Sequence, residues 1–243
     1  MPPIVTKMSG RGLLALARHE GVAPAPYRNA GDKWTFGIGH TSAAGPPDPA
    51  LMPRGMPADP DAGIREAFRV FRVDIARYEA EVLRALEVPV AQHEFDALVS
   101  FHFHTGGIAE ARLTRFLNAG DRAAAADAFM GWSKPPSVIP RREAEQRLFR
   151  DGIYPEGRIP VWAVDRAGRV DFSQPIRSLT EREALALMRP EQTAPPPVTK
   201  PAPEPAPDAP DAPVAPVAPV APVAPASWLA RLAAFLTTLI RRT

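Results

Sequence analysis

The sequence contains no cysteine and no marked excess of charge of either sign. Without cysteine the chain can form no disulfide, no thiolate metal site and no cysteine nucleophile, so packing alone must stabilise its fold. Its 29 lysines and arginines nearly balance its 27 aspartates and glutamates. Because nucleic-acid binding by phosphate neutralisation needs a concentrated positive surface, this balance argues against a DNA or RNA partner.

A long apolar run is also absent from the segment before Gly21. The longest stretch, Leu13 to Ala17, has five residues and is shorter than the about 7–15 apolar residues of a secretory signal core. We therefore expect the chain to be made in the cytoplasm without a cleaved secretory signal.

Proline, by contrast, is abundant, and its distribution divides the chain. Of 31 prolines, 13 lie between Pro195 and Pro225, where an Ala-Pro-Val triplet repeats. Such a stretch cannot form a core and favours an extended polyproline II spacer. We predict four parts: a folded domain over 1–152, a short appendix of a hairpin and a helix over 153–190, a disordered or polyproline linker over 191–226, and an amphipathic helix over 227–243.

The last of these parts has large apolar residues at helical spacing: Trp228, Leu232, Phe235, Leu236, Leu239 and Ile240. It is shorter than the about 20 apolar residues that span a bilayer, and Arg231 interrupts it. An amphipathic helix of this kind binds a membrane surface, so we expect surface association. A short or oligomeric span and docking on a partner helix remain alternatives.

The pattern before residue 152 predicts a mainly helical α+β domain. Ser9 is an N-cap residue for a helix over about 9–20 that ends at Glu20. Aromatic and β-branched residues on both sides of a turn-rich Asn-Ala-Gly-Asp predict a β-hairpin over 27–40. Apolar residues at helical spacing then predict a long helix over about 61–87 and further helices at about 91–103, 108–118, 121–132 and 141–150.

Several stretches of this domain resemble a known family. They are His19-Glu20, Tyr27-Arg28-Asn29, the strand Trp34-Thr35-Phe36-Gly37-Ile38-Gly39-His40, Gln92–Phe101, Leu117–Asp121 and Arg141–Phe149. In this order they resemble the phage-type lysozymes, the T4-like endolysin muramidases, over about residues 9–152. That family has a Glu at the end of its first helix, then an Asp, then a Thr in a Thr-x-Gly-x-Gly-His strand. Glu20 and Thr35 match the spacing.

The resemblance implies a mainly helical lobe and a small β-hairpin lobe on the two sides of a cleft. It implies hydrolysis of the β-1,4 bond between N-acetylmuramic acid and N-acetylglucosamine of peptidoglycan, and no cofactor is expected. The chemistry of the residues agrees, because a leaving glycosidic oxygen needs a proton and a partly buried carboxylic acid retains one to donate. Glu20, on the apolar side of a helix end, is the predicted general acid.

The chain departs from the family at position 29, where Asn29 replaces the aspartate. An amide can neither activate a water molecule nor stabilise a positive transition state by its charge, so we expect activity reduced by about 10²–10⁴-fold. Asp32 in the same turn is a candidate substitute if the hairpin tip folds toward the cleft. Its other interpretation is an ordinary polar turn residue.

The strand residues have expected roles of their own. Thr35 is predicted to position the attacking water, as its counterpart does in the family. Alternation along the strand places Gly37 and Gly39 on the face of Thr35, and the missing side chains predict a groove where a sugar approaches the backbone. His40 and Asp74 match the family's histidine and a helix acid that pairs with it, which predicts a salt bridge between the lobes.

Two further residues are candidate sugar contacts. His104 lies where relatives carry Asn or Gln along the cleft. Arg142, beside Arg141, is expected either to brace the lobes or to meet the anionic wall polymer. His102 and His104 are two residues apart, which does not suit the i, i+4 pairing of helical zinc sites, so we expect no metal.

These observations predict a bacteriolytic peptidoglycan hydrolase that acts on the cell wall in the periplasm. The alternative is a catalytically degenerate wall-binding module that its C-terminal tail tethers to a membrane or partner. Asn29 and the tail favour that alternative. A turbidity assay on purified peptidoglycan separates the two.

Overall fold

A computed structural model of the chain describes residues 5–189. The predictions for 191–226 and 227–243 lie outside the described residues, and the division of the chain into domains stays a prediction. The described part contains seven α-helices: α1 (Gly10–Glu20), α2 (Pro60–Ala85), α3 (Gln92–Thr105), α4 (Arg112–Asn118), α5 (Arg122–Ala128), α6 (Ile139–Asp151) and α7 (Glu181–Met188). It also contains seven short strands: β1 (Ala23–Arg28), β2 (Trp34–Gly37), β3 (His40–Thr41), β4 (Ile159–Val161), β5 (Ala163–Val164), β6 (Val170–Asp171) and β7 (Arg177–Leu179).

The first three strands form an antiparallel sheet in the order β1-β2-β3. Tyr27 pairs with Thr35 across the predicted hairpin. Gly37 and Gly39 have φ of 63° and 79°, a backbone region that glycine adopts far more readily than other residues. Alternation of side chains therefore stops at Gly37, and the expectation of a regular strand through Gly39 is wrong.

Helix α2 joins this small sheet to the helical part of the domain. Asp59 caps its start by accepting the backbone N–H of Asp61 and of Ala62, and Pro60 occupies the first position, where no N–H is needed. One side of the helix is buried at helical spacing, with Ile64, Phe68, Phe71, Ile75 and Val82. The helix lies close to the predicted range of 61–87, because its apolar period was visible in the sequence.

Helix α3 lies in the core of the helical part. Four of its apolar side chains are fully enclosed: Phe95, Leu98, Val99 and Phe101. Leu148 and Phe149 of α6 belong to the same core. Burying a side chain of this size stabilises the fold by about 1.5–3 kcal/mol, so α3 and α6 give a firm base to the polar residues that they carry. The predicted α+β class, mainly helical, is confirmed.

The segment after α6 packs onto this core as well. Strand β4 pairs with β7, β5 pairs with β6 as a hairpin, and Ile159 and Leu179 are completely buried. The backbone of Val22 donates to the Pro160 carbonyl and accepts from the Trp162 N–H. The segment is thus attached to the chain where it leaves α1. Within residues 5–189, no helix is long and apolar enough to cross a membrane.

Candidate active site

Glu20 is the last residue of α1. Ser9 caps the start of the helix by accepting the N–H of Gly12, and Gly21 ends it with φ of 73°. A Cβ at Gly21 would also lie 2.5 Å from the indole nitrogen of Trp162, so only glycine fits there. These constraints fix the end of the helix and leave the Glu20 side chain 24% exposed, which is open enough for a ligand to reach it.

Arg141 of α6 holds the Glu20 carboxyl group. Its Nη1 donates to Oε1 of Glu20 at 2.6 Å. Its Nε donates to Oε1 of Glu145 at 3.0 Å, and its Nη2 donates to the Ser100 carbonyl at 3.3 Å. The guanidinium is thus fixed by α3 and α6 at the same time. Oε2 of Glu20 keeps no hydrogen-bond partner among residues 5–189, so it is the oxygen that a substrate can meet.

Behind Arg141 lies a buried ion pair. Nη1 of Arg142 is 2.5 Å from Oε2 of Glu145, and the Ser100 hydroxyl donates to Oε1 of Glu145 at 2.7 Å. Burial raises the pKa of Glu145, and the charges of Arg141 and Arg142 oppose that shift. Arg142 is completely buried, so the expectation that it contacts a sugar is wrong. Its long side chain reaches inward along the core, which sequence spacing did not show.

Two histidines border this cluster. Burial, followed by the charges of Arg141 and Arg142, lowers the pKa of His19 to about 4. The same causes lower the pKa of His104, while the charge of Glu20 opposes them. His104 is exposed, and its Nδ1 lies 2.8 Å from Nη2 of Arg142. Both rings are therefore neutral at pH 7.

Tyr27 of the hairpin lies within range of the Glu20 charge, and Thr35 is its partner across the two strands. Burial and then the charge of Glu20 raise the pKa of Tyr27 to about 12, and a hydrogen bond from the Gly39 backbone opposes the shift. Thr35 is only 2% exposed, and its hydroxyl donates to the Lys33 carbonyl at 3.2 Å. The two are partners in the strand register, so both belong to one face of the sheet.

Asn29 directly follows β1, and its backbone N–H donates to the Lys33 carbonyl at 3.0 Å. Its side-chain oxygen accepts the N–H of Gly31 at 2.9 Å and the N–H of Lys33 at 3.1 Å. The amide oxygen therefore closes the hairpin turn. Within the described part of the chain, the amide nitrogen has no hydrogen-bond partner.

Asp32 lies at the tip of the same turn. Its side chain is 85% exposed, and Oδ2 is 3.2 Å from Nη1 of Arg28. Arg28 pairs with Trp34 in the strand register and its guanidinium stacks on the Trp34 ring, on the face opposite Tyr27. The structure does not bring Asp32 to Glu20, because this ion pair turns its carboxylate to the other face.

The two candidate glycines differ in their surroundings. Gly37 is buried, and a Cβ there would come within 3.0 Å of the Ala67 side chain on α2. The expectation that a sugar approaches the backbone at Gly37 is therefore wrong. Gly39 is exposed, and the Phe103 ring is the nearest neighbour of its missing Cβ, at 3.4 Å. Gly39 remains a candidate sugar contact.

His40 and Asp74 lie in contact beneath the sheet. Nδ1 of His40 is 2.8 Å from Oδ2 of Asp74, and its Nε2 is 2.7 Å from the Pro47 carbonyl oxygen. Burial raises the pKa of Asp74, and the hydrogen bond with His40 opposes that shift. The pair ties β3 to α2, a structural arrangement rather than a catalytic one.

Sequence reasoning missed two residues beside Glu20. Tyr27 was visible as part of a motif, but the spacing of residues along the chain did not indicate which group its hydroxyl would lie near. Arg141 was visible as the first of two arginines at a helix start, yet only burial shows that Arg141 reaches Glu20 and that Arg142 points inward.

The chain is similar in sequence to known proteins. The family model described as "Phage lysozyme" matches residues 17–145, so the match ends within α6. The endolysin of Acyrthosiphon pisum secondary endosymbiont phage 1 is 33% identical over 153 residues, which cover 58% of this chain and 97% of the endolysin. The endolysin of Salmonella phage P22 is 32% identical over 149 residues, which cover 59% and 97%.

A solved structure has the same fold. The endolysin from Escherichia coli O157:H7 phage FAHEc1 superposes with a TM-score of 0.55 and 26% identity, covering 62% of this chain and 97% of that one. The lysozyme-like class predicted for the folded domain is confirmed.

Proposed function

Because the chain belongs to the phage lysozyme family, we propose that it is a muramidase in which Glu20 is the general acid. The chain is a lysozyme-type glycoside hydrolase, and peptidoglycan is its substrate. The alternative of a wall-binding module that has lost hydrolysis is not favoured. The observation that supports the role of Glu20 is that Arg141 holds one carboxyl oxygen and leaves the other open beside the hairpin.

In this proposal Oε2 of Glu20 donates a proton to the glycosidic oxygen between N-acetylmuramic acid and N-acetylglucosamine. The bond from the anomeric carbon to that oxygen breaks, and positive charge develops on the sugar ring. A water molecule then adds to the anomeric carbon and releases one proton to solvent, because the amide of Asn29 cannot accept it, and Glu20 regains its proton from solvent. In this proposal the Thr35 hydroxyl helps to position that water, and Asn29 occupies the place of the family's aspartate.

The proposal also includes a reduced rate. The oxygen of Asn29 already accepts two backbone N–H groups, and an amide has no basicity with which to take a proton from water. The site therefore supplies proton donation and positioning but no second carboxylate at position 29. We expect turnover about 10²–10⁴-fold below that of the same site with aspartate at position 29.

A turbidity assay on purified peptidoglycan tests the role of Glu20. The wild type clears the suspension slowly, Glu20→Gln does not clear it, and His93→Gln on the far part of α3 serves as the matched control and clears like the wild type. Equal clearing by the wild type and Glu20→Gln would contradict the proposal.

The same proposal assigns the segment 227–243 to a membrane surface near the wall, in the periplasm. Its support is the amphipathic spacing of Trp228, Phe235 and Leu239 together with three arginines. Liposome flotation of the full chain against a chain truncated after Pro190 tests it. The full chain floats with the liposomes and the truncated chain does not, whereas equal flotation would contradict the assignment.

A further inference from the structure

Arg142 and His104 form a contact that the acid mechanism above does not use. Arg142 is completely buried at the start of α6, and His104 is exposed near the end of α3. Nη2 of Arg142 lies 2.8 Å from Nδ1 of His104. A buried cation therefore contacts one edge of a ring whose other edge is open.

This contact fixes where the histidine carries its proton. A guanidinium group has only N–H donors and remains charged in proteins, so Nδ1 of His104 must be the acceptor. A neutral imidazole has one N–H, which is then on Nε2. Among residues 5–189, Nε2 of His104 has no hydrogen-bond partner. The ring thus presents a free N–H donor at the border of the Glu20 cluster.

Arg142 is itself held in place from behind. Its Nη1 is 2.5 Å from Oε2 of Glu145, whose other oxygen accepts from Ser100 and Arg141. Arg141 is the residue that donates to Glu20. Arg141 and Arg142 therefore both contact the buried Glu145. Through these contacts they hold Glu20 and His104 at fixed positions relative to each other.

The charges that face His104 keep its ring neutral. They are the guanidinium groups of Arg141 and Arg142 and the carboxylate of Glu20, with neutral His19 nearby. Burial and the two cations outweigh Glu20, so the pKa of His104 is lowered. The neutral Nε2–H form therefore persists to a lower pH than it would in an ordinary histidine, whose pKa is about 6.5.

We infer that His104 binds the glycan by donating its Nε2–H to an acceptor oxygen of a sugar, and that Arg142 is a positioning residue that fixes this tautomer. The inference rests on the proposed function of the same site. The acceptor is a hydroxyl or acetamido oxygen, which every sugar of the strand carries, or the lactyl carboxylate, which only N-acetylmuramic acid carries. A chito-oligosaccharide lacks the lactyl group and separates the two sources.

Nitrogen NMR of the wild-type full chain tests the tautomer without any enzyme activity. Long-range ¹H–¹⁵N correlations at pH 7 show Nδ1 of His104 unprotonated and Nε2 protonated. A dominant Nδ1–H form at pH 7 would overturn the inference.

Substitutions at position 104 test sugar binding. His104→Phe removes the donor, and His104→Gln restores an N–H donor while its side-chain oxygen can accept from Arg142. Because one neutral hydrogen bond contributes about 0.5–1.5 kcal/mol, His104→Phe weakens binding of a chito-oligosaccharide by about 2- to 12-fold in calorimetry, and His104→Gln recovers most of it. His93→Gln is the matched histidine control and binds as the wild type does.

The outcomes separate the hypotheses. Weaker binding of the chito-oligosaccharide by His104→Phe supports a hydroxyl or acetamido acceptor. A raised KM on peptidoglycan with unchanged kcat, and no effect on the chito-oligosaccharide, supports the lactyl carboxylate. Unchanged affinity and KM in His104→Phe, or no rescue by His104→Gln, would overturn the inference. If the wild type does not hydrolyse peptidoglycan, the proposed function fails, while the NMR and calorimetry results still decide the inference.

Discussion

Replacing Asn29 by aspartate should increase the rate of peptidoglycan hydrolysis. Oδ1 of Asn29 accepts the N–H of Gly31 at 2.9 Å and the N–H of Lys33 at 3.1 Å. A carboxylate has the same shape and accepts both bonds, so the turn is retained. The atom that changes is the amide nitrogen, which has no partner within residues 5–189 and becomes a basic, charged oxygen.

The size of the effect follows from the role of that oxygen. A positioned general base contributes about 10²–10⁴-fold, which corresponds to about 2.7–5.4 kcal/mol of activation free energy. Stability should change by less than about 1 kcal/mol, because the accepted hydrogen bonds are the same. We therefore expect Asn29→Asp to raise kcat/KM on peptidoglycan by about 10²–10⁴-fold with a nearly unchanged melting temperature.

The assay is initial-rate turbidity on purified peptidoglycan, with Glu20→Gln/Asn29→Asp as the control. The double variant should be inactive, which would show that the increase in activity requires Glu20. If Asn29→Asp folds normally and is no faster than the wild type, position 29 does not face the attacking water and the reasoning fails.

Three further predictions follow from contacts elsewhere in the domain. Asp32→Asn should change peptidoglycan turnover by less than about twofold, because Asp32 is 85% exposed and its ion pair turns it away from Glu20; a large loss would restore it as the second carboxylate. Asp96 is completely buried and accepts hydrogen bonds from Ser9, Gln92 and Tyr154, so Asp96→Ala should lower the free energy of unfolding by about 3 kcal/mol in urea titrations, and a change below about 1 kcal/mol would contradict this. Because the folded pKa of His19 is about 4 and its unfolded value about 6.5, its contribution to stability is complete above pH 6.5 and is lost as the pH falls toward 4, by at most about 3 kcal/mol; His19→Gln should flatten this part of the stability profile, and an unchanged slope would refute it.

The sequence predicted the elements whose signals are local. The helix that ends at Glu20 was visible from its N-cap residue and apolar spacing, and the long helix α2 from its apolar period. The hairpin was visible from its turn residues. The end of the second strand was not visible, because Gly37 packs closely against Ala67 of α2, which is distant in the sequence, and has a positive φ.

The site was predictable only in part for a similar reason. Glu20, Asn29 and Thr35 are placed by spacing along one stretch of chain. The contact of Arg141 with Glu20 joins residues 121 positions apart, and the burial of Arg142 depends on how α6 packs on α3. Periodicity within one helix could not tell which of two adjacent arginines faces the site.

The most direct test of the central claim is the chemistry of the products released from purified peptidoglycan. Mass spectrometry and borohydride labelling of the soluble fragments should show new reducing ends at N-acetylmuramic acid with the wild type, more of them with Asn29→Asp, and none with Glu20→Gln. Fragments with reducing ends at N-acetylglucosamine, or equal release by Glu20→Gln, would contradict the assignment of Glu20 as the acid of a muramidase.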